Sequence, residues 1–187
     1  MFWYVVFVKT GHEHKVVTEI NKAWKTNDFM PFVPMYDAKF RKGGIIIPEK
    51  RRLFPGYVFI ETQLGGTEFC LTANPFISGS QNALKILRYG RHYESDISFQ
   101  MKNDEASILR KLCNDEHCIG MSRGIVLGKS GIIRGDMIRI IDGPLAGHES
   151  RIIGVKRHKM EAIIELEIMG SLREVSVGLE LVERIAH

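Results

Sequence analysis

The hydrophobic period of this chain changes once, and that change limits the folds open to it. Up to about residue 113, runs of period two alternate with runs at helical spacing, whereas beyond residue 131 only short Val/Ile-rich runs remain. Alternating elements followed by strands alone imply an α+β layer and a separate small β structure. Residues 2–9 are β-branched and aromatic, bounded by Gly11, and are expected as a buried strand. Val16, Val17, Ile20, Ala23 and Trp24 then recur at helical spacing, with Lys15, Glu19 and Lys22 off that face, so 13–26 is expected as an amphipathic helix on that strand. Residues 30–40 and 45–47 read as extended around a Gly43-Gly44 turn. In 52–61, Pro55 and Gly56 fall inside a strand pattern, which implies an edge strand or a bulge because proline cannot donate to the ladder. A short helix at 66–73, a strand at 85–88 and a helix at 101–113 complete this half.

Residues 114–131 are rich in Gly, Ser and charge without a sustained period, and are expected as a linker. The runs 136–141, 150–155, 162–168 and 173–177 then follow, separated by Gly143-Pro144, the 156–159 cluster and Gly170-Ser171. Strands this short and regular predict a small antiparallel barrel, closed so that no edge is left open.

A net charge of +4 on 187 residues excludes a histone-like polycation. It is an uneven sum. Residues 1–123 hold 17 Lys and Arg against 13 acids, and 124–187 hold 9 against 9. Lys39, Arg41, Lys42, Lys50, Arg51 and Arg52 face only Glu49, a local balance of +5 that suits phosphate or an acidic surface, or else a solvated hairpin. Lys156, Arg157, His158 and Lys159 form a second cluster, read either as a contact or as an exposed turn. The apolar start ends at Lys9, too short for a signal peptide or membrane span. With three sparse cysteines (Cys70, Cys113, Cys118), a cytoplasmic protein is expected.

Catalytic chemistry is poorly represented. Gly128-Lys129-Ser130 lacks the glycine a phosphate loop needs five residues before Gly128, where Arg123 stands. His12 and His14 are two apart and point to different helix faces, and Cys113, His117 and Cys118 supply at most three metal ligands. No local Ser/His/Asp or Cys/His set stands out, so neither an enzyme nor a cofactor is expected.

Four pieces occur in order: Trp3-Tyr4-Val5-Val6; Gly11-x-Glu13-x-x-Val16; Phe54-Pro55-Gly56-Tyr57-Val58-Phe59; and Gly135-Asp136-x-Ile138-x-Ile140-x-Asp142-Gly143-Pro144-Leu145-Ala146-Gly147. A chain so built resembles the NusG family of transcription elongation factors. The resemblance implies an N-terminal NGN domain over 1–113 (an antiparallel sheet flanked by helices) that binds RNA polymerase. It further implies a linker over 114–131 and an SH3-like KOW β-barrel over 132–187. It places Phe54, Tyr57 and Phe59 against a coiled coil of the polymerase clamp, with Lys15 in support and Thr67 toward the opposite side of the cleft. A strand aromatic is more often core, and that reading stands for Phe54, whereas the resemblance turns Tyr57 and Phe59 toward the contact.

Met169 stands before Gly170 where the general factor usually has an aromatic for ribosomal protein or the termination factor Rho. Residues 74–91 also depart from the usual short connection. With the basic 156–159 turn, these features are similar to the specialised LoaP type of antiterminator, which acts through a hairpin in nascent RNA. The resemblance then implies RNA contacts from Lys156, Arg157, His158 and Lys159, with Arg151 and Arg173 as neighbours, in a monomer with no membrane partner. The alternatives are a general factor coupling polymerase to ribosome or Rho, and a ribosome-associated RNA-binding protein.

Overall fold

A computed structural model describes residues 1–24, 28–89, 99–127 and 137–182. In chain order the elements are β1 (Phe2–Val8), α1 (Glu13–Ala23), β2 (Phe29–Phe32), β3 (Met35–Lys42), β4 (Ile45–Arg52), β5 (Tyr57–Thr62), α2 (Gly66–Gly79) and β6 (Ala83–Ile86). They continue with α3 (Asn103–Leu112), β7 (Cys118–Ile119), β8 (Ser122–Val126), β9 (Ile138–Asp142), β10 (Ile152–Lys156), β11 (Glu161–Ile168) and β12 (Ser171–Leu181). The result is the expected α+β class. Two compact units form, and neither is continuous in sequence. The first gathers Met1–Pro34, Phe54–Ser107 and Ile168–Ser171, and the second gathers Met35–Leu53, Ile108–Glu167 and the chain from Leu172 onward.

The first unit is built on an antiparallel sheet in the order β2-β5-β1-β6. Alternation along β1 sends Tyr4, Val6 and Val8 to one face and Trp3, Val5 and Phe7 to the other. On the first face Tyr4 stacks on Phe69 of α2, with ring centroids 3.9 Å apart, and its hydroxyl donates to the Leu64 carbonyl at 2.9 Å. Burial pushes that phenol up to about 12. Val16 and Ile20 are the fully buried stripe of α1. Helix α2 runs past Asn74-Pro75, where the sequence suggests a stop at 73. Proline there removes one helical hydrogen bond. Beyond it Phe76 packs edge-on against Trp24 at 5.4 Å, so tertiary burial outweighs the local break.

The stretch 52–61 corrects an expectation: β5 is neither an edge nor bulged, because β1 and β2 flank it and the register Phe2↔Thr62 to Phe7↔Tyr57 is uninterrupted. Pro55 lies in the turn before the strand, where its missing N–H costs the ladder nothing.

In the second unit, a five-stranded sheet runs β10-β11-β12-β8-β9 and a three-stranded one runs β4-β3-β7. Two of these strands, β7 and β8, fall in the stretch 114–131 read as a linker. Strand β8 pairs with β9 antiparallel and with β12 in parallel, Leu179 opposite Ser122, so a wholly antiparallel arrangement is also corrected. Pairing between segments so far apart leaves no local periodic signal. Residues 128–130 of the Gly-Lys-Ser motif and 135–136 of the last family piece lie outside the described residues.

Gly178 on β12 marks the tightest backbone approach in this unit. A Cβ there would stand 2.3 Å from the Asp37 carbonyl oxygen and from the Met121 sulfur. The sulfur can move, whereas the β3 backbone cannot move without disturbing its ladder. Gly178→Ala is therefore expected to destabilise the protein by about 1–3 kcal/mol, read as a lowered denaturant midpoint at unchanged m-value.

Candidate functional site

Phe54, Pro55, Gly56 and Tyr57 form one turn, closed by the Tyr57 N–H donating to the Phe54 carbonyl at 3.3 Å. Proline at its second position and Gly56 at φ +87° make it type II, a conformation that favours glycine at the third. Residue Gly56 is held by both its backbone groups. Its N–H donates to Oε1 of Glu13 at 2.7 Å, and its carbonyl accepts from the Val8 N–H at 2.8 Å. Glu13 is fully buried at the first turn of α1, so two of the sequence's distinctive pieces, Gly11-x-Glu13 and Pro55-Gly56, meet through one hydrogen bond.

Beyond the turn, Tyr57, Phe59 and Glu61 alternate onto the sheet face that β1 supplies with Trp3, Val5 and Phe7. Phe32 of β2 lies opposite Phe59. The aromatic patch is graded. Trp3, Phe54 and Phe59 are buried, and Phe59 contacts Trp3 at 6.2 Å, Phe32 at 5.6 Å and Phe54 at 5.7 Å. Phe7 and Tyr57 are half-buried at its open end, with ring centroids 5.4 Å apart. The structure thus brings Phe54, Tyr57 and Phe59 together and separates their roles: Tyr57 offers surface, whereas Phe54 and Phe59 are core beneath it. Trp3, Phe7 and Phe32 belong to the patch as well, and the period-two alternation of residues 2–9 carried the signal for the first two.

Lys15 and Thr67 lie elsewhere in this unit. Lys15 is exposed on α1 and lines a cleft of about 490 Å³ with Glu19, Phe76, Ser80 and Asn82. Asn82 and Ser80 donate to the two Glu19 oxygens at 3.1 and 3.5 Å, which fixes the cleft wall. Thr67 is exposed in the first turn of α2, beside a cleft of about 470 Å³ lined also by Cys70, Leu71, Asn74 and Phe99.

Of the basic residues, 156–159 stand exposed at the junction of β10 and β11, where Arg157–Lys159 form a single 3-10 turn ended by Met160 at φ +51°. Arg151 is half-buried at the other end of the five-residue β10, about 16 Å away along the strand. Arg173 is half-buried near the start of β12. The turn and its two supposed neighbours are therefore not one cluster. Met169 is buried and, with Gly170, forms the left-handed pair of a two-residue hairpin turn. Both N–H groups donate to the buried carboxylate of Glu105, at 3.0 and 3.1 Å. Burial pushes the Glu105 carboxyl up, and the two N–H groups pull it back.

In the second unit the turn 157–159 lies beside β3, so the 39–52 block and the 156–159 cluster belong to one neighbourhood. Lys39 donates to Glu180 at 2.6 Å, Arg51 to Glu161 at 2.6 Å and also to Glu49, and Tyr36 to Glu161 at 3.3 Å. Burial and the Glu161 carboxylate raise the Tyr36 phenol. Cys113 and Cys118 are pushed by burial up to about 12 and about 11, and burial also raises Cys70, so none is a ready thiolate. Among the described residues no group of three His, Cys, Asp or Glu is placed to hold a metal ion, and no helix is long and apolar enough to cross a membrane.

The geometry defines a two-surface α+β protein, with an aromatic sheet face in one unit and a basic β turn in the other. The family described as "Transcription termination factor nusG" matches residues 1–110, and the chain belongs to the NusG family. It is similar to the "Transcription termination/antitermination protein NusG" of a Synechocystis species, 25% identical over 193 residues that cover 97% of this chain and 87% of the relative. The protein of that name from Thermus thermophilus is 23% identical over 184 residues, covering 95% and 94%. A solved structure, "Domain interaction in Thermotoga maritima NusG", shares the fold with a TM-score of 0.52 and 22% identity over 96% of this chain and 93% of that one.

Removing the Glu13 carboxylate leaves the Gly56 N–H buried without that acceptor. Glu13→Ala is expected to cost about 1–3 kcal/mol of stability by chemical denaturation, and to broaden or shift the amide resonances of Phe54, Gly56 and Tyr57.

Proposed function

We propose that this protein is a transcription elongation regulator that binds RNA polymerase and promotes processive antitermination. In this reading residues 1–113 provide the polymerase contact through the sheet face around Tyr57. The single observation that carries it is the convergence of the family's distinctive Phe-Pro-Gly-Tyr turn with Trp3, Phe7 and Phe32 on one face, open at Phe7 and Tyr57. Aromatic side chains beside a half-open apolar face are favoured anchors for a partner helix, here a coiled coil of the polymerase clamp. Bound there, with Thr67 toward the far side of the cleft, the protein favours the elongating state by binding it more tightly than the paused one.

In the same reading residues 132–187 recognise a hairpin in the nascent RNA. The exposed Lys156, Arg157, His158 and Lys159 support this, since cations displayed on a strand turn suit phosphates along a folded RNA. Such an agent would act on selected operons, as the LoaP type does.

The test is readthrough of a terminator placed downstream of candidate hairpins, with purified polymerase and the full chain. Tyr57→Ala is expected to lower polymerase binding at least tenfold with little change in melting temperature, whereas Phe59→Ala costs about 3–5 kcal/mol of stability by emptying core volume. Binding and readthrough unaffected by Tyr57→Ala would overturn the polymerase assignment. Replacing Lys156, Arg157 and Lys159 with Ala is expected to remove only the hairpin-dependent part of readthrough. Equal loss on a hairpin-free template would count against RNA recognition by this turn.

A further inference from the structure

The 39–52 segment is the strongest feature that this reading leaves unused. It folds as a two-stranded ribbon, β3 and β4, paired from Met35↔Arg52 to Lys42↔Ile45 across the Gly43-Gly44 turn. Its outer half is strongly exposed, with Phe40 at 44%, Ile45 at 68% and Ile46 at 42% relative accessibility. The ion pairs divide five of its six cations by position. Lys39 is paired with Glu180, Lys50 with Glu116 and Arg51 with Glu161 and Glu49, all toward the root or flank of the ribbon. Arg41 and Lys42, at the tip, have no carboxylate within ion-pair distance among the described residues. The same holds for Lys156, Arg157 and Lys159 in the turn that β3 runs beside. Paired cations fix the ribbon, and free ones are displayed at its end.

We infer that the tip of the β3–β4 ribbon is the second half of a bipartite surface for duplex RNA, the first half being the 156–159 turn. This rests on the RNA reading above and names the form of RNA recognised. Three observations favour it. The free cations occur at two places in the same unit, which suits phosphates spaced along a stem better than one point charge does. Unit two contains only two Phe, Tyr or Trp residues, the buried Tyr36 and the half-exposed Phe40. Recognition of single strands relies on several exposed rings for stacking, whereas a duplex is held by its backbone and shape. Finally, Arg41 and Lys42 lie on β3 opposite Ile46 and Ile45 of the edge strand β4, so a second copy docked at the tip would bring like charges near one another and pairing between copies is disfavoured.

The experiment is fluorescence anisotropy on the full chain with two probes: a fully paired RNA hairpin of about 20 base pairs and a length-matched oligo-U strand, across about 50–200 mM salt. Arg41→Ala with Lys42→Ala is expected to weaken hairpin binding about tenfold and to reduce the salt slope by about 2, with a smaller effect on oligo-U. The exchange Arg41→Lys with Lys42→Arg is expected to retain binding, since charge and not side-chain shape is used. Exposed tip residues leave the fold intact, which an unchanged melting temperature checks. If the tip variant binds the hairpin as the parent does while the 156–159 variant loses it, the ribbon proposal is overturned and the RNA reading stands. Should the parent chain bind neither probe, both fall. Equal loss on oligo-U, or tip-dependent binding to anionic lipid vesicles without effect on the hairpin, would likewise overturn the duplex assignment.

Discussion

One hydrogen bond holds the N-terminal unit in register: the buried Glu13 carboxylate accepting from the Gly56 amide. A carboxyl group withdrawn from water is costly unless it is hydrogen-bonded, and the bond from a fixed backbone N–H offsets part of that cost. Because the Gly56 carbonyl also accepts from Val8, the backbone of a single residue ties together the end of β1, the start of α1 and the start of β5. The direction in which Tyr57 leaves the turn follows from that junction. So does the alignment of Phe59 over Trp3 and Phe32, which gives the sheet face its graded aromatic surface. The start of a helix, a turn type and the aromatic face of a sheet are here consequences of one constraint.

Charge in the second unit is arranged by a similar division of labour. Glu161 is nearly buried and accepts from both Arg51 and Tyr36, so a cation that is conspicuous in the sequence is consumed in holding β4. Half-exposed pairs such as Lys39 with Glu180 add little stability each, on the order of 1 kcal/mol or less, but they fix geometry. A local charge balance therefore overstates the cations available to a ligand, since Lys39, Lys50 and Arg51 are already held by carboxylates.

Much of the fold was legible because it rests on local period. The alternation in 2–8, the helical stripe of Val16 and Ile20, and the short Val/Ile runs after 137 all correspond to observed elements. What escaped was nonlocal. The strands β7 and β8 carry few apolar residues of their own and exist through partners far along the chain. Pro55 and Gly56 misled because a type II turn and a bulged strand use the same residue types, and only the Glu13 and Val8 contacts distinguish them. At the candidate site, Tyr57 and the 156–159 turn were readable as residues, but the grading of the aromatic patch was not, nor the separation of Arg151 and Arg173 from the turn. The neighbourhood of β3 and 157–159 depends on pairings such as Lys39 with Glu180, 141 residues apart.

That same separation has a consequence for how the protein is made. The second unit draws on three stretches of chain, and β12 supplies both the parallel partner of β8 and the close approach of Gly178 to Asp37. During synthesis the β3–β4 ribbon leaves the ribosome long before β12 exists, so root cations such as Lys39 must wait without their partners, beside a β4 edge that stays open. Long-range closure of this kind is slow and exposes strand edges. The free charges at the ribbon's tip, and Pro48 within β4, then protect a nascent hairpin from pairing with its neighbours until the last strand arrives.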